Sequence, residues 1–248
     1  MSLLLQISDT HFGTEQLAVM EAVFRLVREQ GPDVVVLSGD ITQRARRAQF
    51  RAARVFYPYA NHQRVFGRTL EPLFASPDFL VIGVNTTRPS RHIDGEVSAA
   101  QIQGVAQRLR RATREQLRIV VTHQPVHVTR PAEEKNVLHG HQEAVQAWAD
   151  AGADLLMGGH IHLPYVRPLS ERFHDLPRSV WVVQAGTAVS TRVRYDAPNS
   201  LNLIRYTAAD RPQRCIVERW DHRPDVHRFD PVECTEIPLD RGAAVHLH

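Results

Sequence analysis

Four short clusters in the chain carry the residue types that bind metal ions: Asp9-Thr10-His11, Gly39-Asp40, His123, and Gly158-Gly159-His160-Ile161-His162. Imidazole is the commonest side-chain metal ligand. Carboxylates and imidazoles together, with no thiolate, suit Zn, Mn or Fe better than Ca, which takes oxygen ligands. Residues two apart on an extended segment point the same way. Asp9 and His11 are therefore predicted to face one ion together, and His160 and His162 to do the same or to straddle a pair. Glycines at 39, 158 and 159 let the backbone turn sharply and approach closely. Any one of these residues alone is more often a cap, a turn residue or a satisfied polar group than a ligand. Four clusters at successive strand ends read as a metal site.

The elements that must position these clusters follow from the apolar pattern. Buried strands are predicted at 3–7, 34–37, 79–84, 118–122 and 154–157, and helices at 15–30, 43–56, 98–111 and 142–151. Leu17, Met20, Val23, Phe24 and Val27 form the apolar face of the first helix, which Gly31-Pro32-Asp33 ends. Ser98 is a natural N-cap. Beyond 157 the helices stop, and strands are predicted at 180–183, 201–206 and 215–220 with turns between them. Near-continuous apolar strands alternating with helices imply an α/β fold with a sheet covered on both faces, and the all-β second half implies an antiparallel extension or a second sheet. Ligands of open α/β sheets bind beyond the carboxyl ends of the strands, where the four clusters fall. One domain is predicted over 1–220, and a polar tail over 221–248, carrying Pro224, Pro231 and Pro238, that wraps the surface or is partly disordered.

Bulk properties restrict the alternatives. The 248 residues are 43% hydrophobic, enough for one domain with a substantial core. A net charge of +3 gives a weak field for anions such as phosphates, without the dense basic stripe of a dedicated nucleic-acid binder. Cys215 and Cys234 form no CxxC pair and are read as buried, reduced thiols. No leader and no apolar run approaching about 18 residues is present, so no membrane span is expected and a cytoplasmic location is the default.

The order DxH, GD, lone His and GHxH, as Asp9-Thr10-His11, Gly39-Asp40, Thr122-His123 and Gly159-His160-Ile161-His162, resembles the signature of calcineurin-like metallophosphoesterases. The likeness runs from about Leu3 to Leu163, and its wider context is similar to small bacterial enzymes of the class III cyclic-nucleotide phosphodiesterase type. The resemblance implies a two-sheet αββα sandwich with helices on the outer faces. It implies two divalent or trivalent transition metal ions (Mn, Fe or Zn): Asp9, His11 and His162 on the first, His123 and His160 on the second, and Asp40 bridging both. It also implies a hydrolase acting on small phosphate esters, cyclic nucleotides or other phosphodiesters foremost. A monoesterase or nuclease on the same scaffold is the nearer alternative, and nucleic acid is the less favoured substrate.

One family motif is missing. Gly-Asn-His-Asp/Glu, whose Asn completes the second metal site and whose His is the leaving-group acid, does not occur. Asn61-His62 is the only Asn-His pair, and no apolar strand leads into it. A lost segment near Phe56 and Tyr57 is the simpler account, and it raises the alternative of a catalytically impaired metal-binding protein. Four other features stay open on residues alone. His139-Gly140-His141 is a loop that touches substrate or a plain helix start. His127 orients a ligand imidazole or is a loop histidine. The cluster Arg44, Arg46, Arg47, Arg51 and Arg54 contacts nucleic acid or is a solvated face. Asn85-Thr86-Thr87-Arg88 presents donors to phosphate or is a turn.

Overall fold

The computed structural model describes residues 1–41, 69–88 and 95–241. The helix expected at 43–56, its arginine cluster, the join near Phe56 and Tyr57, and Asn61-His62 lie outside them.

Two sheets pack face to face. The first holds β1 (Ser2–Ser8), β2 (Val34–Ser38), β9 (Ser200–Tyr206), β10 (Arg214–Arg223) and β11 (Arg228–Pro238), in the order β11-β10-β9-β1-β2. The second holds β3 (Leu73–Ala75), β4 (Phe79–Gly83), β5 (Leu117–Val121), β6 (Leu155–Gly158), β7 (Tyr165–Pro168) and β8 (Trp181–Gln184), in the order β3-β4-β5-β6-β8-β7. β1 and β2 run parallel, as do β4, β5, β6 and β8. The remaining pairs are antiparallel. Helix α1 (Leu17–Gln30) covers the first sheet; α2 (Ala99–Arg110) and α3 (His141–Asp150) cover the second.

The period of two along each strand sorts its side chains between layers. Leu3 and Leu5 face α1, together with Leu201, Leu203 and Phe229. Leu4 points the other way, into the layer between the sheets, where it meets Phe79, Val81, Leu117, Ile119, Met157 and Ile204. Leu80, Ile82, Val120 and Leu156 turn outward against α2 and α3. Trp148 of α3 is fully buried there and donates its indole N–H to the carbonyl of Ile102 in α2 at 3.2 Å, fastening the two helices. The αββα sandwich expected from the resemblance is therefore the observed architecture.

Local signals placed most element ends. Ser98 caps α2 in a reciprocal box with Gln101. α1 ends at Gly31, whose left-handed φ of 58° suits glycine. Its buried stripe is Val19, Ala22, Val23 and Leu26; Leu17 and Phe24, expected on that face, are exposed. Both sets satisfy helical spacing, and the small Ala22 lets the helix approach the sheet along its own stripe.

Three strands escaped the pattern: β3, β7 and β11. The boundary placed at 220 falls inside β10, and residues 228–238, expected to wrap the surface, form the edge strand β11. Pro231 and Pro238 are tolerated because an edge strand leaves one row of N–H groups unpaired. Farther along, Arg241 donates to the buried carboxylate of Asp154 at 2.6 Å, which also accepts from Arg178 at 3.1 Å. Cys215 is buried as expected, but Cys234, on the edge strand, is exposed. Among the described residues no helix is long and apolar enough to cross a membrane.

Candidate metal centre

The four clusters sit just beyond the carboxyl ends of β1, β2, β5 and β6, at one rim of the sandwich. The loops after β1 and β2 continue to pair past the strands. Asp9 N–H donates to Ser38 O, His11 N–H to Asp40 O and Phe12 N–H to Ile41 O. The Gly159 N–H donates to His123 O, which ties the last two clusters together.

The expected extended geometry of the two spaced pairs is corrected. Asp9, His11, His160 and His162 all lie past the strand ends at φ of 47°, 44°, 71° and 57°. Left-handed backbone at residues other than glycine costs of order 1–3 kcal/mol each and gathers at functional sites. Left-handed residues on both sides of Thr10 bring Asp9 and His11 together. The same arrangement around Ile161 makes His160 and His162 diverge, so that this pair straddles the centre.

Two sets of donor atoms lie within 4.8 Å of one another: Asp9, His11 and His162, and Asp9, Asp40 and His123. In the first, the Nε2 atoms of His11 and His162 are 3.0 Å apart, and Asp9 Oδ1 is 3.8 Å from one and 3.6 Å from the other. All three residues are buried. In the second, His123 Nε2 is 3.5 Å from Asp40 Oδ1, whose side chain is 55% exposed. His160 belongs to neither set, but its Nδ1 lies 3.3 Å from His123 Nε2. Asp9 is the carboxylate common to both sets.

Asp9 is held from every side. Its Oδ2 accepts from the Ser8 hydroxyl at 2.7 Å and the His160 N–H at 2.9 Å, and its carbonyl accepts from the Thr187 hydroxyl at 2.6 Å. Its Oδ1 is buried with no hydrogen-bond partner. Burial pushes this carboxyl up, yet interaction with His162, the charges of His123 and His162, and the Ser8 hydroxyl outweigh it and hold the group well below the usual carboxylate range. The result is a buried negative charge with one open lone-pair face. Burial also lowers His11, and it lowers His160 to about 4 with help from the charge of His123, so both are neutral at pH 7. His162 Nδ1 donates to Arg192 O at 2.5 Å, which leaves its Nε2 facing inward. Two imidazole nitrogens at 3.0 Å beside an ionised carboxylate need a proton or a cation between them, and the donor set fits a transition metal.

The other features resolve differently. His139 is exposed, and His141 opens α3 with Nδ1 donating to Leu138 O at 2.8 Å, so the pair does not converge. His127 is buried; its nearest charged group is Glu171, with Nε2 3.6 Å from Oε2. Asn85 Oδ1 accepts from the N–H and hydroxyl of Thr87, a side-chain-closed turn. The sequence reading missed Ser8, Thr187 and Arg192. Ser8 has a signal, since it is polar on the inward face of an apolar strand. Arg192 has none, because it acts through its carbonyl.

Similar solved structures include the Vps29 of Chaetomium thermophilum, at 12% identity and a TM-score of 0.46, covering 96% of this chain and 98% of that one. Wild-type Vps29 of Entamoeba histolytica complexed with Zn+2 has 12% identity and a TM-score of 0.43 over 96% and 99%. A novel phosphatase of Mycoplasma pneumoniae has 8% identity and a TM-score of 0.43 over 96% and 94%. No curated protein sequence matches the chain. The profile of the calcineurin-like phosphoesterase superfamily domain matches residues 1–203, and it is to this superfamily that the chain belongs.

Proposed function

We propose that the chain binds transition metal ions at this rim and acts on phosphodiesters as an impaired hydrolase. Asp9, His11 and His162 would hold the first ion, and Asp40, His123 and His160, with Asp9 shared between the two, a weaker second one. The observation that carries the reading is the unpartnered, buried Asp9 Oδ1 facing two Nε2 atoms 3.0 Å apart. A pair of such ions would supply the Lewis acidity and water activation that phosphoester hydrolysis needs.

The chain's own residues set the limits. Asp9 is buried and fixed by three donors, so the first site is preorganised. Asp40 is more than half exposed, so the second site starts looser. The side chains of the four imidazoles His11, His123, His160 and His162 contact one another, Asp9, Asp40 and the Arg192 carbonyl among the described residues. The sequence has no Gly-Asn-His-Asp/Glu to supply a leaving-group acid. Loss of such an acid slows poor leaving groups most, typically by about 10²–10⁴-fold.

The likeness to class III cyclic-nucleotide phosphodiesterases makes a diester the first substrate to try. Elemental analysis and calorimetric titration with Mn, Fe and Zn salts should reveal one tight and one weak ion. Turnover should be measurable on an activated aryl phosphodiester and slight on a cyclic nucleotide. Comparable rates on both would refute the impairment, and absence of metal binding would refute the whole reading.

A further inference from the structure

The layer between the sheets is apolar at one end and polar at the other. Along β1 the inward positions run Leu4, Gln6, Ser8, and along β9 they run Tyr206, Ile204, Asn202. Gln6, Ser8, Ser38, Gln184 and Asn202 are all buried. Burying an amide is costly unless its hydrogen bonds are met, so this polar end invites an account.

The hydrogen bonds supply one. Asn202 Nδ2 donates to Gln6 Oε1 at 2.9 Å. That fixes the Gln6 amide with its NH₂ toward Ser38 Oγ at 3.3 Å and the Gly158 carbonyl at 3.1 Å. Gln184 Nε2 donates to the next carbonyl, that of Gly159, and its Oε1 packs so closely that a Cβ on Gly158 would lie 2.5 Å away. The Gly158 and Gly159 carbonyls also accept from Ala185 N–H and Ile161 N–H. Both acceptors of the turn leading into left-handed His160 and His162 are thus gripped by buried amide side chains. The outgoing His160 N–H then reaches Asp9.

We propose that Gln6 and Gln184, with Asn202 orienting Gln6, are positioning residues for the metal centre. They hold the Gly158–Gly159 turn in the conformation that aims His160 and His162 and delivers a donor to Asp9. The inference rests on the metal-binding reading above and adds to it residues on three strands that touch no metal.

The test uses the full chain and Co(II), whose visible absorption reports ligand geometry. Gln6→Met and Gln184→Met keep approximate volume and remove the donor; Asn202→Asp removes the donor to Gln6. Ile204→Val, in the same layer at its apolar end, is the stability control. Affinity and spectrum are read well below each variant's melting temperature. We expect about 10–100-fold weaker Co(II) binding and an altered spectrum for the network variants, the range seen when partners of metal ligands are removed. The control should melt earlier with unchanged affinity and spectrum. If the methionine variants fail to fold, Asn202→Asp, which keeps the side-chain volume, decides. Network variants that melt earlier yet bind Co(II) with wild-type affinity and spectrum would overturn the proposal and leave the metal site standing. A wild-type chain that binds no Co(II) would instead sink the metal reading itself.

Discussion

Gly159 offers a sharp test of the site's geometry, because a single methyl group there has nowhere to go. A Cβ built on Gly159 would lie 2.1 Å from Ser8 Oγ, 2.3 Å from Asp9 Oδ2 and 3.3 Å from Ser8 Cβ. Both neighbours are buried, and neither is the free end of a long side chain. In Gly159→Ala the Asp9 carboxylate must move by about an ångström to restore van der Waals contact. It then gives up hydrogen bonds from Ser8 and from the His160 N–H. Hydrogen bonds to charged groups contribute about 1.5–3 kcal/mol each, and overpacking costs about 1–3 kcal/mol. Partial relaxation makes a loss of about 3 kcal/mol in the metal-free protein a reasonable expectation, with metal affinity falling at least about tenfold. Gly104 is the matched control. It sits inside α2 with nothing within 4 Å of its added Cβ, so Gly104→Ala should gain about 0.8–1 kcal/mol from helix propensity alone. Urea denaturation with chelator present reads the stability, and calorimetric titration reads the affinity. Wild-type stability and affinity in Gly159→Ala would refute the close approach of Gly159 to Asp9, and with it the site as described.

Three further outcomes follow from the same geometry. Asp9→Asn should abolish binding of both ions, whereas Asp40→Asn should weaken only the second, because Asp9 is common to both donor sets; elemental analysis after dialysis counts the ions retained. Stability of the metal-free protein should rise with pH between roughly 4 and 6.5, the interval between the folded and ordinary His160 values, and level off above it. In that interval the unfolded chain binds a proton that the folded chain refuses, and His11, also lowered by burial, acts in the same direction; equal urea midpoints at pH 5 and 7.5 would contradict this. A thiol reagent should label one cysteine in the native protein and two after unfolding, since Cys234 is exposed while burial raises the Cys215 thiol well above its ordinary value.

The sequence alone determined the donor clusters, the strands that carry them and the rim at which they meet. Those features are local: an apolar run of five residues ends at a polar cluster whichever sheet it joins, and carboxylate and imidazole chemistry does not depend on neighbours. The sandwich itself was legible through the family resemblance, and the covering of a sheet on both faces through near-continuous apolar strands alternating with helices. Only the tertiary structure decided how the donors divide. Left-handed backbone on both sides of Thr10 joins Asp9 to His11, while the same turn around Ile161 parts His160 from His162, and spacing alone permitted either result. Long-range contacts also made β11 a strand and buried Val19 in place of Leu17, because edge pairing and helix rotation are set by the partner surface. The roles of Gln6, Gln184 and the Arg192 carbonyl were equally invisible, since each depends on hydrogen bonds between segments that only folding brings together.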